Sequence, residues 1–142
     1  MTSGEDRIFQ ARLAALPETA VFVQSFASAH GIDHDDALRL TLIVEELFTN
    51  AVTHGYGGDC DAAIRIALRA DAGEVRLYYE DTAPRYDPLS RLSRSPVDVG
   101  ARDDSQPIGG LGIPLVRQLT GSARYVYEDH CNRLWLTLRR RS

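Results

Sequence analysis

The chain contains no lysine; all 16 of its basic residues are arginine. That absence excludes a Walker-type phosphate loop, a Schiff-base lysine and the strand lysine of an ordinary protein kinase. Two cysteines, Cys60 and Cys131, are too few for a disulfide framework and lack the spacing of a CxxC metal site. His130 lies beside Cys131 with no further ligands at metal spacing, so two reduced thiols are expected. No apolar run approaches the roughly 20 residues that cross a bilayer. The opening residues, MTSGEDRIFQ, lack the apolar stretch of a signal peptide. A cytoplasmic protein without a membrane partner is the expectation. A net charge of −4 leaves no basic surplus for nucleic acid.

What remains is ordinary globular composition, 44% hydrophobic and 25% charged, in 142 residues. A single domain of this length buries about two-thirds of its unfolded surface. No repeat or second domain is visible, so residues 1–142 form one domain, with residues 1–5 expected as a flexible N-terminus. Residues 6–13 suit a first strand. Pro17 opens a helix to about His30, which Gly31 ends. Asp33, Asp35 or Asp36 can cap a second helix that runs to His54 and stops at Gly55-Tyr56-Gly57-Gly58.

The period then becomes two. Ile64, Ile66 and Leu68 alternate with Arg65, Ala67 and Arg69; after the turn Asp71-Ala72-Gly73, Val75, Leu77 and Tyr79 alternate with Arg76, Tyr78 and Glu80. Regular patterning is absent from Thr82 to Pro107, which holds four of the six prolines. A loop of that length in a compact domain is functional or disordered. Gly109-Gly110-Leu111-Gly112 then leads into a short helix with Pro114 in its first turn. Strands are expected at Ala123–Glu128 and Arg133–Arg139, joined by a turn over residues 129–132. The fold class is an α/β two-layer sandwich: a mixed, mostly antiparallel sheet with helices on one face.

At 100° per residue, Leu40, Val44, Leu47, Phe48, Ala51 and Val52 make the core stripe of the second helix. Glu46, Asn50 and His54, spaced by four, form a row along one flank of that stripe. Glu45 falls on the other flank. A row of this kind is commonly a solvated helix edge. Its significance comes from two further features. Asp81 ends the strand EVRLYYED where the long loop begins, as many turn aspartates do, or as a carboxylate that accepts a hydrogen bond from the amino group of a base. The glycine turn at residues 109–112 precedes a helix, where backbone N–H groups and the helix dipole favour phosphate.

The order Glu46-x-x-x-Asn50, then Asp81, then Gly110-x-Gly112 resembles the ATP site of the GHKL, or histidine-kinase-like ATPase, superfamily with its Bergerat fold. The stretch EELFTNAVTHGY and the short length look most like the anti-sigma-factor serine kinases of the RsbW/SpoIIAB type. The likeness covers about residues 6–140. It implies ATP with Mg²⁺, Asn50 giving its amide oxygen to the metal, and Glu46 as general base. It further implies base or phosphate contacts from His54, Asp81, Ala83, Gly110, Leu111, Gly112 and Thr137, beneath a lid at residues 88–108. The partners implied are a STAS-domain antagonist, phosphorylated on serine, and a sequestered sigma factor or other target; an exposed sheet face would suit a homodimer.

Two departures stand out. Ala83 replaces the first glycine of the family's DxGxG segment, a substitution that matters if that position needs a positive φ. Gln106-Pro107-Ile108 stands where some relatives have an arginine, leaving Arg102 or Arg117 to substitute. A nucleotide-binding sequestration module with weak or no catalysis is therefore the second reading. A detached histidine-kinase catalytic domain is the third, and it would need His34 as phosphoacceptor, with no helical hairpin around it.

Overall fold

The structure, a computed structural model, describes residues 3–86 and 120–140. Five strands, β1 (Ser3–Gln10), β2 (Ala63–Ala70), β3 (Glu74–Asp81), β4 (Thr120–Glu128) and β5 (Cys131–Arg139), form one sheet in the order β1-β2-β3-β5-β4. Every pairing between neighbours is antiparallel. Two helices, α1 (Leu16–Ala29) and α2 (His34–Asn50), supply the second layer. Among the described residues, no helix is long and apolar enough to cross a membrane.

The alternation read from the sequence is the alternation of burial. Ile64, Ile66, Leu68, Val75, Leu77, Tyr79, Leu134, Leu136 and Leu138 share one core with Phe22, Phe26, Leu40, Val44, Leu47 and Phe48. Phe9 joins the layers, its ring 5.8 Å from Phe22 and 6.2 Å from Phe48 in edge-to-face geometry. Ile43, outside the expected stripe, is also fully buried.

The helix ends follow local chemistry. Gly31 takes φ +66°, and the Ile32 amide donates to the carbonyl of Ala27 at 3.0 Å, closing α1 with a left-handed cap. Of the three candidate caps of α2, Asp33 is the one used, accepting from the Asp36 amide at 2.8 Å. Asp35 and Asp36 then lie in the first turn, near the positive end of the helix dipole.

Three boundaries differ from expectation. The first strand begins at Ser3 rather than residue 6, and Ser3, Gly4 and Glu5 pair with Ala70, Arg69 and Leu68 instead of forming a flexible tail. It also ends earlier, because the Leu13 amide donates to the Asp59 carboxylate at 2.9 Å and turns the chain toward α1. The β4–β5 turn is tighter than the expected four residues. Asp129 and His130 alone make it, with φ of 54° and 62°, the mirror-image geometry that matches strand twist. Cys131 and Asn132 are thereby strand residues. The expected lid at 88–108, the helix from Pro114, Arg102 and Arg117 lie outside the described residues.

Two substitutions test these assignments by urea denaturation. Asp33→Ala should lower stability by about 1 kcal/mol through loss of the cap. His130→Gly should raise it by roughly 0.5–1 kcal/mol, because a left-handed backbone is strained for any residue with a Cβ.

Candidate functional site

The site begins on α2. Its core stripe turns one flank inward, and that flank carries Glu46 and Asn50, one helical turn apart and only 8% and 5% exposed. Both carboxylate and amide are therefore set into the molecule, not along a solvated edge. Among the described residues, the Asn50 Nδ2 atom has no hydrogen-bond partner. A buried donor left that way costs about 1–3 kcal/mol, so it calls for a partner beyond the described residues.

Beyond Asn50 the helix widens into a π turn, Ala51–Gly55, with the Tyr56 amide donating to the carbonyl of Ala51 at 2.8 Å. Residues four apart no longer stack across such a turn. His54 is accordingly exposed, and the expected row of three is a pair. The widened turn also delivers the helix end to the sheet. The Tyr56 hydroxyl accepts from the Thr82 amide at 2.8 Å and meets the Thr82 hydroxyl at 3.2 Å. At Gly55 a Cβ would stand 2.8 Å from the Tyr86 ring and 3.2 Å from the Ala83 methyl, so only glycine allows this approach. Through Thr82, Ala83 and Tyr86, the end of α2 rests directly on the segment that follows Asp81.

Asp81 is 1% exposed. Strand alternation places it on the buried face of β3, in line with Val75, Leu77 and Tyr79, and directly opposite Asn132 of β5. Its Oδ1 accepts from the Asn132 amide at 2.8 Å and the Ala83 backbone N–H at 3.1 Å. Its Oδ2 accepts from the Tyr86 hydroxyl at 2.8 Å and from the Tyr79 hydroxyl. Burial pushes the Tyr79 and Tyr86 phenols well up from their ordinary value, with the Asp81 charge acting in the same direction. Both phenols therefore keep their protons and donate. Asn132 is as buried as Asp81; its amide also reaches the carbonyl of Ala83 at 3.0 Å, and its Oδ1 accepts from Tyr125 at 2.5 Å and the Tyr86 amide at 3.2 Å.

Glu46, Asn50, Asp81 and Ala83 thus lie on one side of the sheet. Ala83 does not take a positive φ, since Asp129 and His130 are the non-glycine residues that do so among those described. Its methyl group fits where glycine was expected because Gly55 faces it. Thr137 does not join the site. It alternates with buried Leu136 and Leu138, pairs with Arg76 on the opposite sheet face and accepts from the Ser122 hydroxyl at 3.1 Å. Gly110, Leu111 and Gly112 lie outside the described residues. Sequence reasoning missed Asn132, assigning it to a turn. Counting back by two from Leu138, Leu136 and Leu134 would have reached it, and asparagine in a buried strand position is itself unusual.

These residues fit a magnesium nucleotide in one respect and constrain it in another. The Asn50 amide, inward and with an unpaired donor, suits a metal on its oxygen and a phosphate oxygen at its nitrogen. Among the described residues, no cluster of three or more His, Cys, Asp or Glu side chains could hold a metal alone; phosphate would have to complete the shell. Asp81, by contrast, already has its four acceptor positions engaged.

Comparison with known proteins gives the family. The model of the histidine kinase-like ATPase domain matches residues 9–138. The serine/threonine-protein kinase BtrW of Bordetella bronchiseptica is 38% identical over 98 residues, spanning 69% of this chain and 67% of that protein. The serine-protein kinase RsbW of Listeria monocytogenes is 26% identical over 108 residues, spanning 75% and 69%. In fold, the chain matches the crystal structure of the RsbU and RsbW domains of Rv1364c from Mycobacterium tuberculosis, with a TM-score of 0.63 at 20% identity. That match covers 99% of this chain and 34% of the longer one. The chain belongs to the histidine kinase-like ATPase domain family, in which it is similar to the RsbW and BtrW serine kinases.

Proposed function

We propose that the chain is a cytoplasmic serine-protein kinase of a partner-switching system. It transfers the γ-phosphate of ATP to a serine of a STAS-domain antagonist, and it sequesters a sigma factor or other target when the antagonist is phosphorylated. The observation that carries this reading is the inward pair Glu46 and Asn50 on α2, whose end is fastened to the segment after Asp81. The kinase names of the similar proteins support it.

In this mechanism the serine Oγ forms a bond to the γ-phosphorus as the bond to the β,γ-bridging oxygen breaks, ADP leaves, and the serine proton passes to the Glu46 carboxylate. Mg²⁺, held through Asn50, would supply charge neutralisation at the phosphates. Glu46 is buried, at 8% exposure, which limits competition from bulk water. Asn50 orients through its amide, and its unpaired Nδ2 offers a hydrogen bond to a phosphate oxygen. The residues at 110–112 would bring backbone N–H groups to the same anion. The exposed sheet face supports a homodimer: Trp135, 37% exposed, lies 5.3 Å from Tyr78 and beneath Arg124, with Ile8 63% exposed on the same face.

One observation favours the second reading, a sequestration module without phosphotransfer: the acceptor positions of Asp81 are engaged within the chain. Glu46→Gln separates the two. For a kinase, radiolabel transfer from ATP to the STAS protein should fall by about 10²–10⁴-fold, while calorimetric ATP affinity stays within about threefold. Undiminished transfer would remove Glu46 as the base. A wild-type chain that binds ATP and both protein partners without labelling the antagonist would establish the module.

A further inference from the structure

Asp81 has no acceptor position left for a ligand. A carboxylate offers about four lone-pair sites, and the Ala83 N–H, the Asn132 amide and the hydroxyls of Tyr79 and Tyr86 meet them all. If this carboxylate reads the amino group of a purine, one of the four must withdraw first. The four are not equivalent. The Ala83 donor is backbone. Asn132 is fully buried and also holds the carbonyls of Ala83 and Pro84, at 3.0 and 3.4 Å. Tyr79 is fully buried within β3, between Ile66 and Leu134 in the ladder. Of the three side-chain donors, Tyr86 alone lies beyond the end of the strand, and it is half-buried.

Proton counting selects the same residue. Asp81 Oδ2, the Tyr79 hydroxyl and the Tyr86 hydroxyl make a triangle of contacts, the last two 3.1 Å apart. Two hydroxyl protons serve three contacts, so with both given to Asp81 the tyrosine–tyrosine contact carries none. Withdrawal of Tyr86 therefore removes a single donated bond and leaves Oδ2 still paired with Tyr79. The backbone need not follow: the Tyr86 amide donates separately to the Asn132 Oδ1 at 3.2 Å, an anchor that persists while the side chain rotates.

We propose that Tyr86 is a positioning residue whose hydroxyl occupies the amine-reading position of Asp81 and is exchanged for the 6-amino group of a bound purine nucleotide. It acts through Asp81, keeping that buried charge paired while the site is free and setting how strongly an aminopurine must compete. The inference rests on the nucleotide reading given above. It also accommodates a fully engaged Asp81 within a nucleotide site, because the engagement is the resting partner of an exchange.

The test is calorimetric binding of ATP and of purine riboside triphosphate, which lacks the 6-amino group, to the full chain with and without Tyr86→Phe. Phenylalanine keeps the ring against Gly55 and removes only the competing donor. ATP should bind on the order of tenfold more tightly to the variant, the scale of one hydrogen bond to a charged group, while the analogue changes less than about twofold. Tyr79→Phe, which leaves the competitor in place, should bring no such gain. In the unsubstituted chain ATP, and not the analogue, should perturb the tyrosine ultraviolet difference spectrum. Equal or weaker ATP binding by a folded Tyr86→Phe, or equal tightening of both ligands, would overturn the proposal while leaving the nucleotide reading intact. A wild-type chain that binds neither ligand would overturn both.

Discussion

A buried carboxylate constrains everything around it. At 1% exposure Asp81 cannot be hydrated, and an ionised group in that position is tolerated only when hydrogen bonds replace the lost water. The chain supplies them from two strands and one loop: Tyr79 on β3, Asn132 on β5, and Ala83 and Tyr86 beyond the strand end. Satisfying one charge thus fixes the β3–β5 register at its end, the path of the segment leaving the sheet, and the place where α2 can dock. The same network makes the carboxylate rigid and gives it a defined direction, which a recognition element requires.

The second constraint comes from α2. A helix that buries a wide apolar stripe also carries its flanks inward, and here one flank presents an acid and an amide to the interior. The π turn then performs the local adjustment. By widening the last turn it moves His54 out of line and directs Gly55 and Tyr56 onto the residues after Asp81. Helix and strand contribute different chemistry, an acid and an amide from α2 and a fully hydrogen-bonded carboxylate from β3. At their joint Gly55 faces Tyr86 and Ala83, so Ala83 at a position where glycine was expected is matched by the absent side chain of Gly55.

Much of this was legible in residue order because the relevant periods are short-range. Alternation marked which side of β2 and β3 would be buried, and the 3.6-residue period marked the stripe of α2 and, with it, the flank carrying Glu46 and Asn50. Gly31 announced the end of α1, and the group Asp33, Asp35 and Asp36 the start of α2, through local backbone chemistry. Thr137 was misplaced because a resemblance assigned it to the site without its strand parity, which puts it on the face opposite Asp81. Asn132 was missed because aspartate and histidine in a two-residue turn are weaker signals than Asn-Gly, and a longer turn took in the strand's first residues. His54 was counted in the row because nothing in its neighbours signals a change of helical pitch.

By itself the sequence determined the elements, their buried faces, the absence of lysine-based phosphate chemistry, and the helix pair that bears the proposed catalysis. Each of these follows from side-chain spacing along a regular backbone, or from composition. Only the tertiary structure decided which donors satisfy Asp81, that Tyr86 is among them, and that Gly55 lets the helix reach Ala83. Asn132 lies 51 positions from Asp81, and Gly55 meets Ala83 from another element. Tyr79, Ala83 and Tyr86, within five positions of Asp81, reach it only through the path the chain takes as it leaves the sheet. No local pattern encodes these contacts, because a buried charge takes its partners from whatever the packed fold brings within about 3 Å.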